Sequence, residues 1–218
     1  MKITILVEGK TEQAFKPHLT AFLALRLPGH APRLDMYPYH GRIPMGEKLR
    51  RVVEMLLGGR KPSDAVIALT DVYTGTNDFI DAADAKTKMR EWVGDNPSFF
   101  PHAAQHDFEA WLLPYWSDIQ RIAGHNRKAP QGSPESVNHN RPPSVHIKEI
   151  FENGRYRESY SKIRDADRIL RNQDLSIAAA QCLELKAFLN TILALCDGQP
   201  YLAEATPYLC SATARVSE

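Results

Sequence analysis

The stretch Lys2–Gly9, KITILVEG, decides the fold. Apart from its lysine, the part before Glu8 is apolar or β-branched, which is typical of a buried strand, and Glu-Gly ends the run in a turn. From Thr11 onward, apolar residues recur at helical spacing until Pro28-Gly29 stops the pattern. The stretch therefore predicts a strand–turn–helix unit with a carboxylate at the carboxyl end of the strand.

Strands and helices continue to alternate after this first unit. Further strands are predicted over residues 33–39, 65–70 and 99–105, and further helices over residues 46–57, from residue 78 onward and over 108–116. Asp78 is predicted to cap the helix that follows it, with Asp81 at the third position, and Pro114 should disturb the last helix. This alternation predicts an α/β fold with a mostly parallel sheet covered by helices on both faces.

The remaining sequence predicts a helical C-terminal part. Residues 124–143 are rich in His, Asn, Gly, Ser and Pro, which indicates a long loop, and helices are predicted over 144–153, 159–171 and 176–195. We therefore divide the chain into an α/β domain (1–118), a loop or linker (119–143), a helical C-terminal part (144–197) and an irregular tail (198–218).

Composition places the chain among globular proteins, with 43% hydrophobic and 24% charged residues over 218 residues. No apolar run approaches the roughly 20 residues that span a bilayer, and the apolar run at the amino end is too short for a signal peptide. The three cysteines, Cys182, Cys196 and Cys210, are an odd number without CxxC spacing. We expect a cytoplasmic protein without disulfides and without a membrane segment.

The formal net charge of +1 hides a pattern along the chain. Residues 26–61 hold eight Lys or Arg against three Asp or Glu, and residues 121–171 hold eleven against six. Residues 64–118 instead hold ten acids against three bases. An acidic cleft floor with a basic rim would suit divalent cations beneath a phosphate-bearing ligand, while solvated surface charge is the simpler explanation.

Carboxylates stand where the predicted strands end. Glu8 follows the first strand, Asp71 the third, and Asp107 and Glu109 the fourth. Because ligands collect beyond the carboxyl ends of parallel strands, we expect these acids to share a crevice with Glu12 of the first helix. Such oxygen ligands suit magnesium or manganese, and a two-cation site can activate water for phosphodiester cleavage.

Each acid also has a structural interpretation. Glu12 could be a first-turn acid favoured by the helix dipole, with the two interpretations about even. Glu8 and Asp71 are harder to explain structurally, since a carboxylate at the end of a buried strand needs water, a partner or a metal. Of Asp107 and Glu109, only one can reach the crevice if the segment is helical, and we choose Glu109.

Other kinds of site have little support in the sequence. His102 and His106 could form a softer zinc or iron site, but only on one helix face, and the stretch has the pattern of a strand. No Walker loop, no dinucleotide-binding glycine motif and no nucleophile elbow is present.

Three motifs stand in order along the chain, and they are VEGKTEQAF (Val7–Phe15), TDVY (Thr70–Tyr73) and HDFEAWLL (His106–Leu113). Together they resemble the motifs of the Toprim-related bacterial domain-of-unknown-function family forty-two seventy-six. The resemblance continues to about residue 193 through Pro142–Ser144, Tyr160, Lys162, Cys182 and Phe188. Asp107 and Trp111 replace a glutamate and a leucine of the family's usual third motif.

Toprim domains serve as catalytic parts of primases, topoisomerases and the overcoming-lysogenization-defect (OLD) nucleases. The resemblance implies a metal role for Glu8, Glu12, Asp71 and Glu109, and a phosphate-steadying role for Lys162. Toprim domains usually carry Asp-x-Asp after the third strand, and Tyr73 stands at the second aspartate here. We therefore expect one tight metal and one weaker site.

Taken together, the residues and the resemblance predict a magnesium- or manganese-dependent nuclease, as an effector of bacterial defence. One alternative is a non-catalytic Toprim-like module that binds nucleic acid, nucleotide or a partner ATPase. Another is a metal-dependent phosphatase of small nucleotides. The near-neutral total charge argues against tight nucleic-acid binding by the isolated chain, so a partner could supply the missing charge.

Overall fold

Four parallel strands form one sheet in the computed structural model, which describes residues 1–39, 41–72, 77–137, 141–156 and 159–196. The strands are β1 (Lys2–Val7), β2 (Arg33–Pro38), β3 (Ala65–Asp71) and β4 (Phe99–Ala104). Their order is β2-β1-β3-β4, with Val7 beside Leu69 and Asp71 beside Ala104. The carboxyl ends of the strands therefore meet at one edge, and the α/β prediction is confirmed.

The helices follow the strands in the expected alternation and then continue alone. They are α1 (Lys10–Arg26), α2 (Glu47–Gly58), α3 (Ala82–Val93), α4 (Trp116–Ala123), α5 (Pro143–Glu152), α6 (Lys162–Leu170), α7 (Leu175–Ala179) and α8 (Leu183–Leu195). Two 3-10 helices add Phe108–Tyr115 and Pro134–Ser136. None of the described helices is long and apolar enough to cross a membrane.

The two faces of the sheet bury separate cores. Alternate strand residues such as Leu6, Val66 and Ala68 pack against α2 and α3. The other face packs against α1 and all the helical elements after β4, where Trp111 lies against Phe15, among other rings. The C-terminal helices are thus packed onto the sheet and complete one of its two covering layers.

Three local predictions differ from the structure. Asp81 rather than Asp78 is the N-cap of α3, because its carboxylate accepts the backbone N–H of Asp84 at 2.8 Å. The boundary drawn after residue 118 falls within α4, where Ile119 and Ile122 are buried and hold the helix against the core.

The helix predicted over residues 176–195 is two helices, α7 and α8. Cys182 is the N-cap of α8, and the Glu135 carboxylate accepts the Glu184 N–H at 3.0 Å. A side chain from the 3-10 helix Pro134–Ser136 therefore caps a helix start that helical periodicity conceals. Cys182 is a buried free thiol and Cys196 is buried, while Tyr73, Cys210 and the predicted tail over 198–218 lie outside the described residues.

Candidate active site

A cavity of about 510 Å³ opens at the carboxyl edge of the sheet. It is lined by Glu8, Gly9, Thr11, Glu12, Gly41, Asp71, Phe108, Ser161, Lys162 and Ile163. The ends of β1 and β3, the first turn of α1 and the start of α6 thus contribute to one space. Four of the five predicted site residues line it, and Glu109 contacts one of them, Lys162.

Glu8 lies beside Thr70, one step beyond the Val7–Leu69 pair of the β1–β3 register. The Thr70 hydroxyl donates a hydrogen bond to a Glu8 carboxylate oxygen. Burial and, to a smaller extent, nearby Glu12 raise the pKa of Glu8, while the hydrogen bond from Thr70 lowers it. The net result is a pKa of about 7. Glu8 is therefore held in place and partly protonated near neutral pH.

Glu12 occupies the third position of α1, whose N-cap is Gly9. Hydrogen bonds from the backbone at Glu12 and Gly9 favour its charged form, as in a capping box, while burial and Glu109 raise its pKa overall. A Cβ built on Gly9 would lie 3.2 Å from a Glu12 carboxylate oxygen, so glycine leaves room for this arrangement. Glu12 therefore combines the helix-start role with a position in the cavity.

Asp71 is the centre of the acidic cluster. Burial raises its pKa well above the ordinary value, and the four neighbouring carboxylates of Glu12, Glu8, Asp107 and Glu109 raise it further. The five acids that follow three different strands are thus close enough to repel one another. We call these five residues the acidic cleft.

The segment after β4 delivers two of these acids. His106 adopts a left-handed conformation with φ of 71°, which turns the chain from β4 into the 3-10 helix. Asp107 then accepts the Ser144 N–H at 3.1 Å at the start of α5, and Glu109 is fully buried. Both carboxylates lie close enough to Asp71 to raise its pKa, so Asp107 joins Glu109 in the cluster.

Lys162 and Tyr160 both contact Glu109. The Lys162 ammonium lies 3.2 Å from one Glu109 oxygen, and the Tyr160 hydroxyl donates to the same oxygen at 3.4 Å. Burial and Asp107 raise the pKa of Glu109 to about 7 against the opposing effect of Lys162. Burial alone would lower the pKa of Lys162, but Glu109, Asp71 and Asp107 raise it overall, so the lysine is a cation.

The donor atoms suit a hard divalent cation by type. Carboxylate oxygens are the preferred ligands of magnesium and manganese, and the cleft holds more acids than nearby cations. Asp107 Oδ1 is buried without a hydrogen-bond partner among the described residues. Within that part of the chain, however, no three His, Cys, Asp or Glu side chains form a ready-made metal group, so ion binding would require side-chain rotation.

The structure adds residues that the sequence patterns did not select. Thr70 and Tyr160 each hydrogen-bond a cleft acid, and both stand inside the quoted motifs, where they had no assigned role. Arg42 lowers the pKa of Glu8 and forms an ion pair with Asp78, and no sequence pattern indicated it.

The softer-metal alternative gains no support. His102 lies in strand β4, where its Nε2 is 3.0 Å from the Thr191 hydroxyl. Burial and the cations Lys86 and Arg90 lower the pKa of His102 to about 3, so this imidazole is neutral. It packs edge-on against Phe188 and has the surroundings of a core residue.

Known structures share this fold. The C-terminal region of the Burkholderia pseudomallei OLD protein is similar with a TM-score of 0.52 and 13% identity, covering 89% of this chain and 98% of that chain. The C-terminal region of the Xanthomonas campestris pv. campestris OLD protein, phased with mercury, gives 0.46 and 14%, covering 89% and 96%. No curated protein matches the chain in sequence.

Residues 7–193 match the family described as Domain of unknown function (DUF4276), the family forty-two seventy-six whose motifs the sequence resembles. The match begins at the end of β1 and includes every strand end that carries a cleft acid. The chain belongs to the DUF4276 family and has a Toprim-like α/β fold with a helical C-terminal part.

Proposed function

We propose that this protein is a divalent-metal-dependent nuclease that cleaves phosphodiester bonds in nucleic acid. The acidic cleft carries the proposal, because Glu8, Glu12 and Asp71 line one cavity with Lys162 at the carboxyl edge of the sheet, and the buried acids Asp107 and Glu109 lie close enough to raise the pKa of Asp71. Perturbed acids in a cavity are candidates for catalysis or for ion binding. The likeness to OLD C-terminal regions supports the proposal at the level of the fold.

In this proposal, Glu8, Glu12, Asp71 and Glu109 would hold magnesium or manganese. The ion would supply Lewis acidity and an activated water for the attack on phosphorus. Thr70 orients Glu8, and Tyr160 orients Glu109, by the hydrogen bonds described above. Lys162 would bind a non-bridging phosphate oxygen, because its side chain is 54% exposed while its ammonium contacts Glu109.

The small net charge of the chain favours a complex with a partner protein. The net charge of +1 is small for a protein that must bind a polyanion, whose affinity depends on many phosphate contacts. We therefore place nucleic acid as substrate and a partner ATPase as a further component, in a cytoplasmic bacterial defence system.

A phosphatase acting on small nucleotides is the competing function. The cavity of about 510 Å³ lies within the range of small-ligand sites, so a mononucleotide could enter it. The same carboxylates and lysine would serve either reaction. The two functions differ in the bond that is cleaved, which is a phosphodiester of a polynucleotide in one case and a phosphomonoester or pyrophosphate bond of a small molecule in the other.

Cleavage assays test the proposal. Supercoiled plasmid, single-stranded DNA and RNA are incubated with the wild-type chain and magnesium or manganese, and strand breaks are read on denaturing gels. We expect cleavage that disappears with EDTA and in Glu8→Gln and Asp71→Asn. Glu91→Gln, which neutralises an exposed acid of α3, is the matched control and should cleave like the wild type.

Two results would redirect the assignment. Release of phosphate from mononucleotides or pyrophosphate without strand breaks would establish the phosphatase. Absence of any hydrolysis, also with the proteins encoded beside it added, would leave a binding module.

A further inference from the structure

A second pocket, of about 370 Å³, lies among the helices after β4. It is lined by Arg121, Ile122, Ala123, Phe151, Tyr156 and Arg168. These residues come from α4, α5, the turn after α5, and α6. Two arginines and an aromatic ring thus face one concave space outside the acidic cleft, and we call it the arginine pocket.

Two glycines allow the helices to approach closely at this pocket. A Cβ on Gly154 would lie 2.0 Å from the Ala123 carbonyl oxygen, so the turn after α5 packs directly on the end of α4. Gly124 has a φ of 66°, and a Cβ there would lie 2.9 Å from the Arg155 Cβ and 3.4 Å from the Tyr156 ring. Backbone packing therefore fixes the position from which Tyr156 projects.

The side chains of the pocket have the chemistry that binds single-stranded nucleic acid. Tyr156 is 61% exposed, and its ring offers a face for base stacking. Arg168 shares the Asp165 carboxylate with Arg164, and the Arg168 side chain is 40% exposed. Arg121 pairs with Asp118 only at the protein surface, where such pairs contribute little and exchange readily.

The arginine pocket and the acidic cleft are joined by packed side chains. Phe151 lines the pocket, and its ring centroid is 5.4 Å from that of Tyr160, whose hydroxyl donates to Glu109. Helix α6 also joins the two, with Lys162 at the cleft and Arg168 at the pocket. Lys162 and Arg168 are six residues apart on this helix, which corresponds to a rise of about 9 Å along its axis.

We propose that the arginine pocket binds a single-stranded segment of the nucleic acid next to the scissile bond, with phosphate on Arg121 and Arg168 and a base on Tyr156. This inference rests on the proposed nuclease function and names its substrate form. The basic segment 121–171 thereby becomes a substrate-holding surface. Charge complementarity favours a polyanion over a protein partner at this place.

Oligonucleotide binding without cleavage tests the pocket by itself. Fluorescence anisotropy of a labelled single-stranded oligothymidylate is measured in EDTA at several salt concentrations, using the full chain. Tyr156→Ala should weaken binding at least about fivefold, since base stacking on an aromatic ring contributes about 1–3 kcal/mol. Arg121→Ala should lower the salt slope by about 0.7, the value for one single-strand phosphate contact.

Matched controls are present in the same chain. Tyr37, a partly exposed tyrosine of the edge strand β2, and Arg60, an exposed arginine after α2, lie outside the pocket. Tyr37→Ala and Arg60→Ala should bind within twofold of the wild type. Unchanged affinity and slope in the pocket variants, losses equal to those of the controls, or a wild type that binds no oligonucleotide would overturn the inference.

Cleavage separates this inference from the nuclease assignment. With magnesium, Tyr156→Ala should raise KM for a polynucleotide by a larger factor than KM for bis(p-nitrophenyl) phosphate, because that small diester is too short to reach the pocket from the cleft. A wild type that binds through the pocket without cleaving would contradict the nuclease and keep the pocket. Equal cleavage by the wild type and Tyr156→Ala would support the nuclease assignment and contradict the role proposed for the pocket.

Discussion

Two fully buried carboxylates on neighbouring elements have opposite surroundings. Asp165 of α6 is 0% exposed, accepts the Ser161 N–H at 2.8 Å, and forms ion pairs with Arg164 and Arg168. Glu109 is also 0% exposed, but its cation, Lys162, lies near the acids Asp71 and Asp107 as well. Asp165 therefore has two cations for one carboxylate, whereas Glu109 shares one lysine with neighbouring acids.

This difference separates a structural charge from a functional one. A buried carboxylate with hydrogen bonds and cations stabilises the helices it joins, and its removal leaves those partners unsatisfied. Carboxylates gathered without enough cations repel one another, which lowers the stability of the metal-free protein. A bound cation, or a metal that also binds phosphate, would relieve that repulsion. Metal binding is therefore favoured in the cleft and not at the Asp165 cluster, whose carboxylate already has cations.

The largest expected effect concerns Lys162, the main cation of the cleft. Lys162→Ala should lower turnover by about 10²- to 10³-fold, the loss typical for one donor to a developing negative charge, with a small change in melting temperature. Lys162→Arg should restore activity partly, because a planar guanidinium replaces a compact ammonium. Lys148→Ala, at an exposed lysine of α5, is the control, and an unchanged rate in Lys162→Ala would make Lys162 an ordinary surface charge.

Metal binding should stabilise the cleft by a smaller amount. At a manganese concentration one hundred times Kd, binding to the folded state alone stabilises it by about 2.7 kcal/mol. Thermal melts should show this gain in the wild type and in Asp165→Asn, and most of it should be absent in Asp71→Asn. Equal manganese responses of the wild type and Asp71→Asn would remove Asp71 from the metal site.

Neutralising the two kinds of acid should change stability in opposite directions. Asp165→Asn should lower the free energy of unfolding by about 2 kcal/mol, less than for a fully buried pair because both arginines are partly exposed. Asp71→Asn should raise that of the metal-free protein on the order of 1 kcal/mol, since like-charge repulsion disappears. Urea unfolding measures the free energy of unfolding of both variants. Destabilisation by Asp71→Asn would indicate that Asp71 is a structural acid of the turn.

The last prediction concerns the pH dependence of stability in the metal-free protein. Glu8 and Glu109 have pKa values raised from 4.5 to about 7, so between these values the folded state binds more protons than the unfolded state. Stability should therefore fall as pH rises from about 4.5 to 7 and level off above, at up to about 1.4 kcal/mol per pH unit for each proton. Glu109→Gln should flatten this slope in urea titrations, and an unchanged slope would contradict the raised pKa.

Sequence reasoning predicted the acids that strand ends deliver and missed the groups that orient them. Glu8 and Asp71 follow apolar strands, so their place at the carboxyl edge follows from the parallel sheet. Thr70 contacts Glu8 because of a register offset of 62 residues between β1 and β3, which no local pattern encodes. The turn at His106 likewise places both Asp107 and Glu109 in the cluster, although helical spacing predicted only one.

The sequence by itself determined the alternation of strands and helices, the carboxylates at strand ends and the basic segments, because these depend on side-chain period and local composition. Only the tertiary structure decided that the C-terminal helices cover one face of the sheet, which brings Lys162 and Tyr160 to Glu109 across more than fifty residues. It also decided which buried acid is compensated. Asp165 and Glu109 are both acids in helical segments, and their different electrostatics come from neighbours that only the packed fold supplies.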